Sequence, residues 1–374
     1  MVGVVLAGVF SLSCFGQDPA APACVTDLES LFLFLLENDT GARDQLARLG
    51  QKHFEDALAH AKSEAARISG PAGCTPVINN YLREWRRGHL GVDDIKPPSA
   101  APAQTQPTAD AVARRRRNAP ELEILSEKTL YLRLKNFEPY NREPLLALLK
   151  THRKDFQRHP NWIIDLRGNG GGSDSSYQPL LPWLLADETV DASAAILATP
   201  ANIDAWGRMC ALYAPGDAEC QKSINEGIER MRKAAPGTFV AMDDGGPFSY
   251  SRVKPLEPRR PSRVAVLIDG GCGSSCEEFA LAVRQSFTVK LIGQPTFGSL
   301  DHSNLRPHDL PSGMRRLWYA TTRSTRLPGF RVDVSGVQPD IYLPLEPGAE
   351  AKAEEVQRVR SWLERGSLQR NLRR

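Results

Sequence analysis

From Thr129 onward the chain alternates short apolar strands with helical stretches, and one of those strands runs directly into a glycine loop. The strand is NWIIDLRG and the loop GNGGG, with consecutive glycines at Gly170, Gly171 and Gly172. TLYLRLKNF and the helix PLLALLKTHRKDFQ come before it. RVAVLIDGG, the helix SSCEEFALAVRQS, the strand VKLIG, the turn QPTFGS and a final strand near VQPDIYLPL come after. A closing helix is expected at AKAEEVQRVRSWLERG. Strands that alternate with helical periods specify an α/β fold. Residues 198–262 read as an irregular insertion over this core, with one helix at SINEGIERMRKAA.

The part before Thr129 has a different period. LESLFLFLL, QLARLGQKHFEDALAHAKSEAARI and VINNYLREW place apolar residues at three and four spacing, so residues 24–95 form a helical N-terminal domain. Residues 96–120, rich in Pro, Ala and Thr, are expected to be a linker ending in the run Arg114 to Arg117, which reads as a solvated charge cluster. The remainder, 121–374, is the larger domain. At 374 residues, 41% hydrophobic and 24% charged, the chain has the composition of a folded soluble protein, not a disordered, fibrous or polytopic membrane one. Its 47 Lys and Arg against 44 Asp and Glu leave +3, too near balance to imply a nucleic-acid partner.

The first residues, MVGVVLAGVFSLSCFG, are apolar and too short to span a membrane, and QDPAAPA supplies a small-residue cleavage zone. Residues 1–23 are therefore expected to be a signal peptide and leader, which places the protein in the periplasm or outside the cell. The usual basic start is missing, since Arg43 is the first Lys or Arg. Cys14 suits a lipoprotein acylation site less well, because Ser11 stands where Leu is usual. The six cysteines beyond the leader suggest neighbour pairing, Cys24 with Cys74, Cys210 with Cys220 and Cys272 with Cys276, among fifteen possible connectivities. An even count supports an oxidising compartment. No CxxC or HExxH pattern occurs, so neither a metal nor any other cofactor is expected.

Two strand-to-helix junctions carry the chemistry. Backbone N–H groups at a helix start favour developing negative charge. At the first, IIDLRGNGGG, three glycines let the backbone approach a bound group closely, although taken alone they fit a plain tight turn better. At the second, VLIDGGCGSSCEEFALA, Ser274 and Ser275 stand where a helix begins, a position shared by an N-cap and a nucleophile. The GxSxG elbow and the nucleotide-binding GxxxxGK[ST] loop are both absent from the sequence.

Taken in order, YLRLKNF, IIDLRGNGGG, GSSCEEFA, IGQPTFGS and GVQPDI resemble the S41 peptidases, which include the carboxyl-terminal processing proteases and the tricorn core. The resemblance spans about Lys128 to Pro344 and implies a core similar to those of ClpP and crotonase. It implies Ser274 as nucleophile of an acyl-enzyme, with backbone amides of Gly170 or Gly171 and of Ser275 as the oxyanion hole. It also implies a peptide or protein substrate; the oligomeric state stays undetermined. The sequence departs from the family at Ser299, which fills the position of the processing proteases' catalytic Lys and cannot act as base, because a hydroxyl does not accept a proton near neutral pH. Tricorn-like members use a His on the first core strand, where Arg133 stands here, with an acid that maps to Asp333. His302 is the nearest substitute base in sequence and Lys135 a more remote one. No PDZ-like segment is evident between the helices and the core. The expected function is an exported serine peptidase; the alternative is a catalytically impaired relative that binds peptides or another ligand.

Overall fold

The structure is a computed structural model that describes residues 20–95, 108–185, 188–213, 216–242, 246–252, 261–344 and 348–365. Most of the expected leader, Cys14 included, and residues 96–107 of the expected linker lie outside the described residues.

Four helices open the described chain: α1 (Ala20–Asn38), α2 (Ala42–Leu49), α3 (Gln51–Ala65) and α4 (Cys74–Trp85). The sequence pattern runs unbroken through α2 and α3. Gly50, at φ 83°, turns the backbone between them. Their apolar faces bury Leu28, Leu31, Phe54, Ile78 and Trp85 in one cluster, and the Cys24–Cys74 disulfide ties α1 to α4. A short strand β1 (Leu90–Asp94) follows, and the arginine run forms the last turn of α5 (Ala109–Arg117).

The large domain is built on a six-stranded sheet. It contains β2 (Glu121–Ile124), β3 (Thr129–Arg133), α6 (Arg142–Thr151), α7 (Arg153–Arg158), β4 (Asn161–Asp165) and α8 (Leu181–Leu184). Next come β5 (Glu188–Ala192), β6 (Ala194–Ala198), α9 (Pro200–Gly207), α10 (Met209–Tyr213), α11 (Ala218–Lys233), β7 (Thr238–Ala241) and β8 (Phe248–Arg252). The chain continues through β9 (Arg263–Ile268), α12 (Ser275–Arg284), β10 (Val289–Gly293), β11 (His302–Asp309), β12 (Arg315–Ser324), β13 (Ile341–Tyr342) and α13 (Ala349–Arg365). The strand order is β13-β10-β9-β4-β3-β2, all parallel except β2. Every residue of β4 is buried. Trp162 and Ile164 face the core under α6 and α12, while Ile163 faces α13, the two-residue alternation that sandwiches a sheet between helix layers.

A second sheet, of order β1-β12-β6-β7 with β11 also on β12, is antiparallel throughout. The expected irregular insertion over 198–262 thus has regular structure: α9 to α11 pack on β6, and β8 pairs with β5. The ten-residue β12 packs Leu317 and Tyr319 into the core of the N-terminal helices. Its Arg315 forms an ion pair with Asp27 of α1 at 2.8 Å, both side chains fully buried. The three disulfides are the neighbour pairs expected from the sequence.

Candidate active site

β9 ends at Ile268, and the turn Asp269–Ser274 leads into α12 with Ser274 as its N-cap. Ser274 has φ 57° and ψ −125°, a conformation that L side chains rarely adopt. Such a residue costs of order 1–3 kcal/mol and persists only where its surroundings over-determine it. Glu277, fully buried, does much of that. Its Oε2 accepts from the amides of Ser274 at 3.0 Å and Ser299 at 2.9 Å, and its Oε1 from the Gly298 amide at 2.8 Å and the Thr296 hydroxyl at 2.5 Å. One carboxylate therefore binds the serine turn to the turn after β10. The Cys272–Cys276 disulfide closes the same turn across Ser274.

The glycine loop lies directly against this turn. A Cβ on Gly171, at φ 97°, would come within 2.6 Å of the Gly273 carbonyl and 2.9 Å of the Ser274 Cβ, so glycine is required there. The Gly171 amide already donates to Asn169 Oδ1 at 2.9 Å, whereas no partner is recorded for the Gly170 amide among the described residues. Ser275 is the first residue of α12, and its amide has no carbonyl one turn back to bond. The preceding Asp165–Leu166–Arg167 segment is structural. Arg167 donates to both Asp165 oxygens, at 2.9 and 2.6 Å, and pairs with Glu355 of α13.

The expected bases stand as follows. Lys135 donates to the Arg117 carbonyl at 2.7 Å and pairs with Glu121, at the β2 edge of the sheet. The His302 imidazole is buried against the turn between α1 and α2, its Nδ1 3.1 Å from the Thr40 hydroxyl, and burial pushes its pKa down to about 3. It makes no hydrogen bond to Asp333. That carboxyl, raised to about 6 by burial, instead accepts from the amides of Leu300 at 2.6 Å and Asp301 at 2.7 Å. Ser299 is buried, and a Cβ on Gly273 would lie 3.2 Å from its hydroxyl.

The structure brings in a residue that the sequence reading passed over. Trp85 ends α4, and the next few residues carry His89 across to the core. Gly88, at φ 82°, packs so tightly on Ser299 that a Cβ there would lie 2.8 Å from the Ser299 Cβ. The His89 Nδ1–H donates to the His302 carbonyl at 2.7 Å. Its own carbonyl accepts from Arg86, whose guanidinium forms a buried pair with Asp39. Burial pushes the His89 pKa down to about 4, so the ring is neutral at pH 7 and Nε2 is left as an acceptor. His89 lines a cleft of about 750 Å³ together with Gly170, Gly273, Phe297, Ser299 and Trp318. The one signal in the sequence is a Gly-His pair between a helix end and a short strand, nearly half the chain before Ser274.

The model of Peptidase family S41 matches residues 128–343. The chain belongs to this family. No curated protein matches it. Among solved structures, mature CPAF shares the fold at a TM-score of 0.62 and 12% identity, over 94% of this chain and 100% of CPAF. A putative peptidase from Parabacteroides merdae ATCC 43184 aligns at a TM-score of 0.52 and 13% identity, over 91% of this chain and 93% of its own. Family membership implies a peptide or protein substrate. Among the described residues no cluster could hold a metal ion, and no helix is long and apolar enough to cross a membrane.

Proposed function

We propose that the protein is an exported serine peptidase that cuts peptide bonds through an acyl-enzyme at Ser274, with His89 as general base. The observation that carries this reading is the Ser274 turn itself: a strained serine at a helix start, with a glycine loop in contact with it and a neutral histidine in a cleft that its neighbour Gly273 and the loop's Gly170 also line. Ser274 Oγ attacks the scissile carbonyl and gives its proton to His89 Nε2. The carbonyl oxygen, now negative, is held by the amides of Gly170 and Ser275. His89 passes the proton to the leaving amine, and a water activated by His89 then releases the acyl group.

The other candidate residues take supporting roles. The His302 carbonyl fixes the His89 tautomer through Nδ1–H, the orienting task a carboxylate performs in other triads. Asp333 holds the two amides just before His302 and thereby positions that carbonyl. Ser299 leaves room at the missing lysine's position for Gly88 and the histidine behind it. Three disulfides, two of them wholly buried, support an oxidising compartment.

The test is labelling of the full chain with a fluorophosphonate, mapped by mass spectrometry, beside hydrolysis of an unstructured peptide mixture. Wild type should be labelled at Ser274. Ser274→Ala should lose labelling and hydrolysis while keeping its fold. His89→Gln should lose at least about 100-fold in rate, the usual share of a general base. Labelling confined to Ser275 or Ser299, or an undiminished rate in His89→Gln, refutes these assignments. An inert wild type would instead favour the peptide-binding alternative.

A further inference from the structure

The turn between α1 and α2 carries Asp39, and Arg86 is the first residue past α4. The two meet in the interior, with only 1% and 5% of their side chains exposed. Asp39 Oδ1 accepts from the Gly41 amide at 3.0 Å and from Arg86 Nε at 3.2 Å. Its Oδ2 accepts from Arg86 Nη2 at 2.5 Å and from the Ala320 amide of β12 at 3.2 Å. The turn closes over its partners: a Cβ on Gly41 would lie 3.1 Å from Arg86 Cδ and 3.2 Å from His302 Cε1.

A guanidinium gripped by a carboxylate in this forked way has its remaining N–H directions fixed. Nη2 uses one of them to donate to the His89 carbonyl at 2.8 Å. The backbone at His89 is therefore tied to Arg86, three residues earlier, while its ring is tied to the His302 carbonyl. A buried ion pair adds little net stability, because desolvation offsets the attraction. What this one adds is a fixed donor beside His89.

It also adds charge. Burial is the main cause that keeps His89 neutral, and the Arg86 cation pushes the same way. On His302, burial is joined by Arg86, Arg323 and Arg331 against the Asp39 carboxylate. Arg83 of α4 and Asp93 of β1 line the cleft with His89, and Asp333 also feels the Arg86 charge. Neither Arg86 nor Asp39 lines that cleft, so neither meets the substrate.

We infer that Arg86, held by Asp39, positions the general base: it fixes the backbone that carries His89 and sets a cation beside the ring. The inference rests on the peptidase reading above and adds a positioning pair from the N-terminal helices to its machinery.

Full-chain Arg86→Lys and the double variant Asp39→Asn/Arg86→Met, run beside His89→Gln, test it. The double variant removes both charges together, so no buried charge is left unpaired. Its kcat at pH 7 should fall at least about tenfold with KM little changed. The acid limb of its kcat/KM profile should rise from about 4 by at least about half a pH unit, because the cation beside His89 is gone. Arg86→Lys keeps the charge but not the fork, so it should lose rate with the limb unmoved. Imidazole NMR titration, with His89 assigned by its loss in His89→Gln, reads the same shift without turnover. A wild-type rate in the double variant, with His89→Gln inactive, overturns the inference and leaves the peptidase reading standing. A slower double variant whose limb and His89 titration both stay put makes the pair merely structural and overturns it as well. If the double variant does not fold, Arg86→Lys decides, and a wild-type rate there overturns the inference. An undiminished rate in His89→Gln, or a wild type inert toward peptides, removes both.

Discussion

Replacing Glu277 with Gln tests whether one buried carboxylate holds the serine turn. Glu277 accepts four hydrogen bonds, two on each oxygen, from Ser274, Ser299, Gly298 and Thr296. Gln has the same shape but only one acceptor atom, so its NH2 must face one of the two donor pairs. Each buried donor left without an acceptor costs about 1–3 kcal/mol, which sets the loss at roughly 2–6 kcal/mol for two. Against a total stability of about 5–15 kcal/mol, the variant should fold but unfold at a clearly lower urea midpoint. Whichever pair is lost, either the Ser274 turn or its neighbour slackens, and fluorophosphonate labelling of Ser274 should slow by at least about tenfold. Urea unfolding followed by tryptophan fluorescence, with labelling rates measured in native buffer, reads both effects. A Gln variant within about 1 kcal/mol of wild type and labelled at the wild-type rate would refute this role for Glu277.

Three further outcomes are expected. Gly171→Ala forces a Cβ into the Gly273 carbonyl and the Ser274 Cβ. It should lower kcat by at least about 100-fold, and a wild-type kcat would mean the loop does not shape the site. The buried His89 and His302 have folded pKa values of about 4 and about 3, below the unfolded value, so their contribution to stability is complete above pH ~6.5 and is lost as pH falls. Asp333, raised to about 6, works the other way. Between pH 6.5 and 4 the three groups should give a net loss of about 3 kcal/mol, read by urea titrations at each pH; a flat profile would contradict the depressed pKa values of the two rings. The same depressed His89 predicts that kcat/KM keeps its plateau down to about pH 4, whereas a limb near 6.5 would assign the base elsewhere.

The parallel sheet was legible because its strands are apolar runs bounded by glycines; Trp162–Ile164 and Val264–Ile268 announce themselves without any partner being known. The antiparallel β11–β12 pair was missed for the opposite reason. Its sequences, HSNLRPHD and RRLWYATTRS, are largely polar and basic, and they are buried by pairing charges and hydroxyls across distant elements, as Arg315 does with Asp27. No local pattern encodes a partner on another domain. The same limit applied to the site. Ser274 and the glycine loop lie in recognisable junctions, but His89 sits in the unremarkable segment RRGHLG, and only packing on Ser299 and His302 gives it a place. Asp333 and His302 were singled out as an acid and a substitute base, whereas the contacts each makes next to Ser299 and His89 run through backbone groups.

The helices that bring His89 emerge from the ribosome well before the turn that holds Ser274, which follows most of the large sheet. In the proposed mechanism neither half can cut anything by itself. β12, whose pairing with β1 and β11 fixes both His89 and His302, is made later still. On that mechanism a half-made or misdocked chain would be harmless to its neighbours, with the timing of activity set by the completion of the fold.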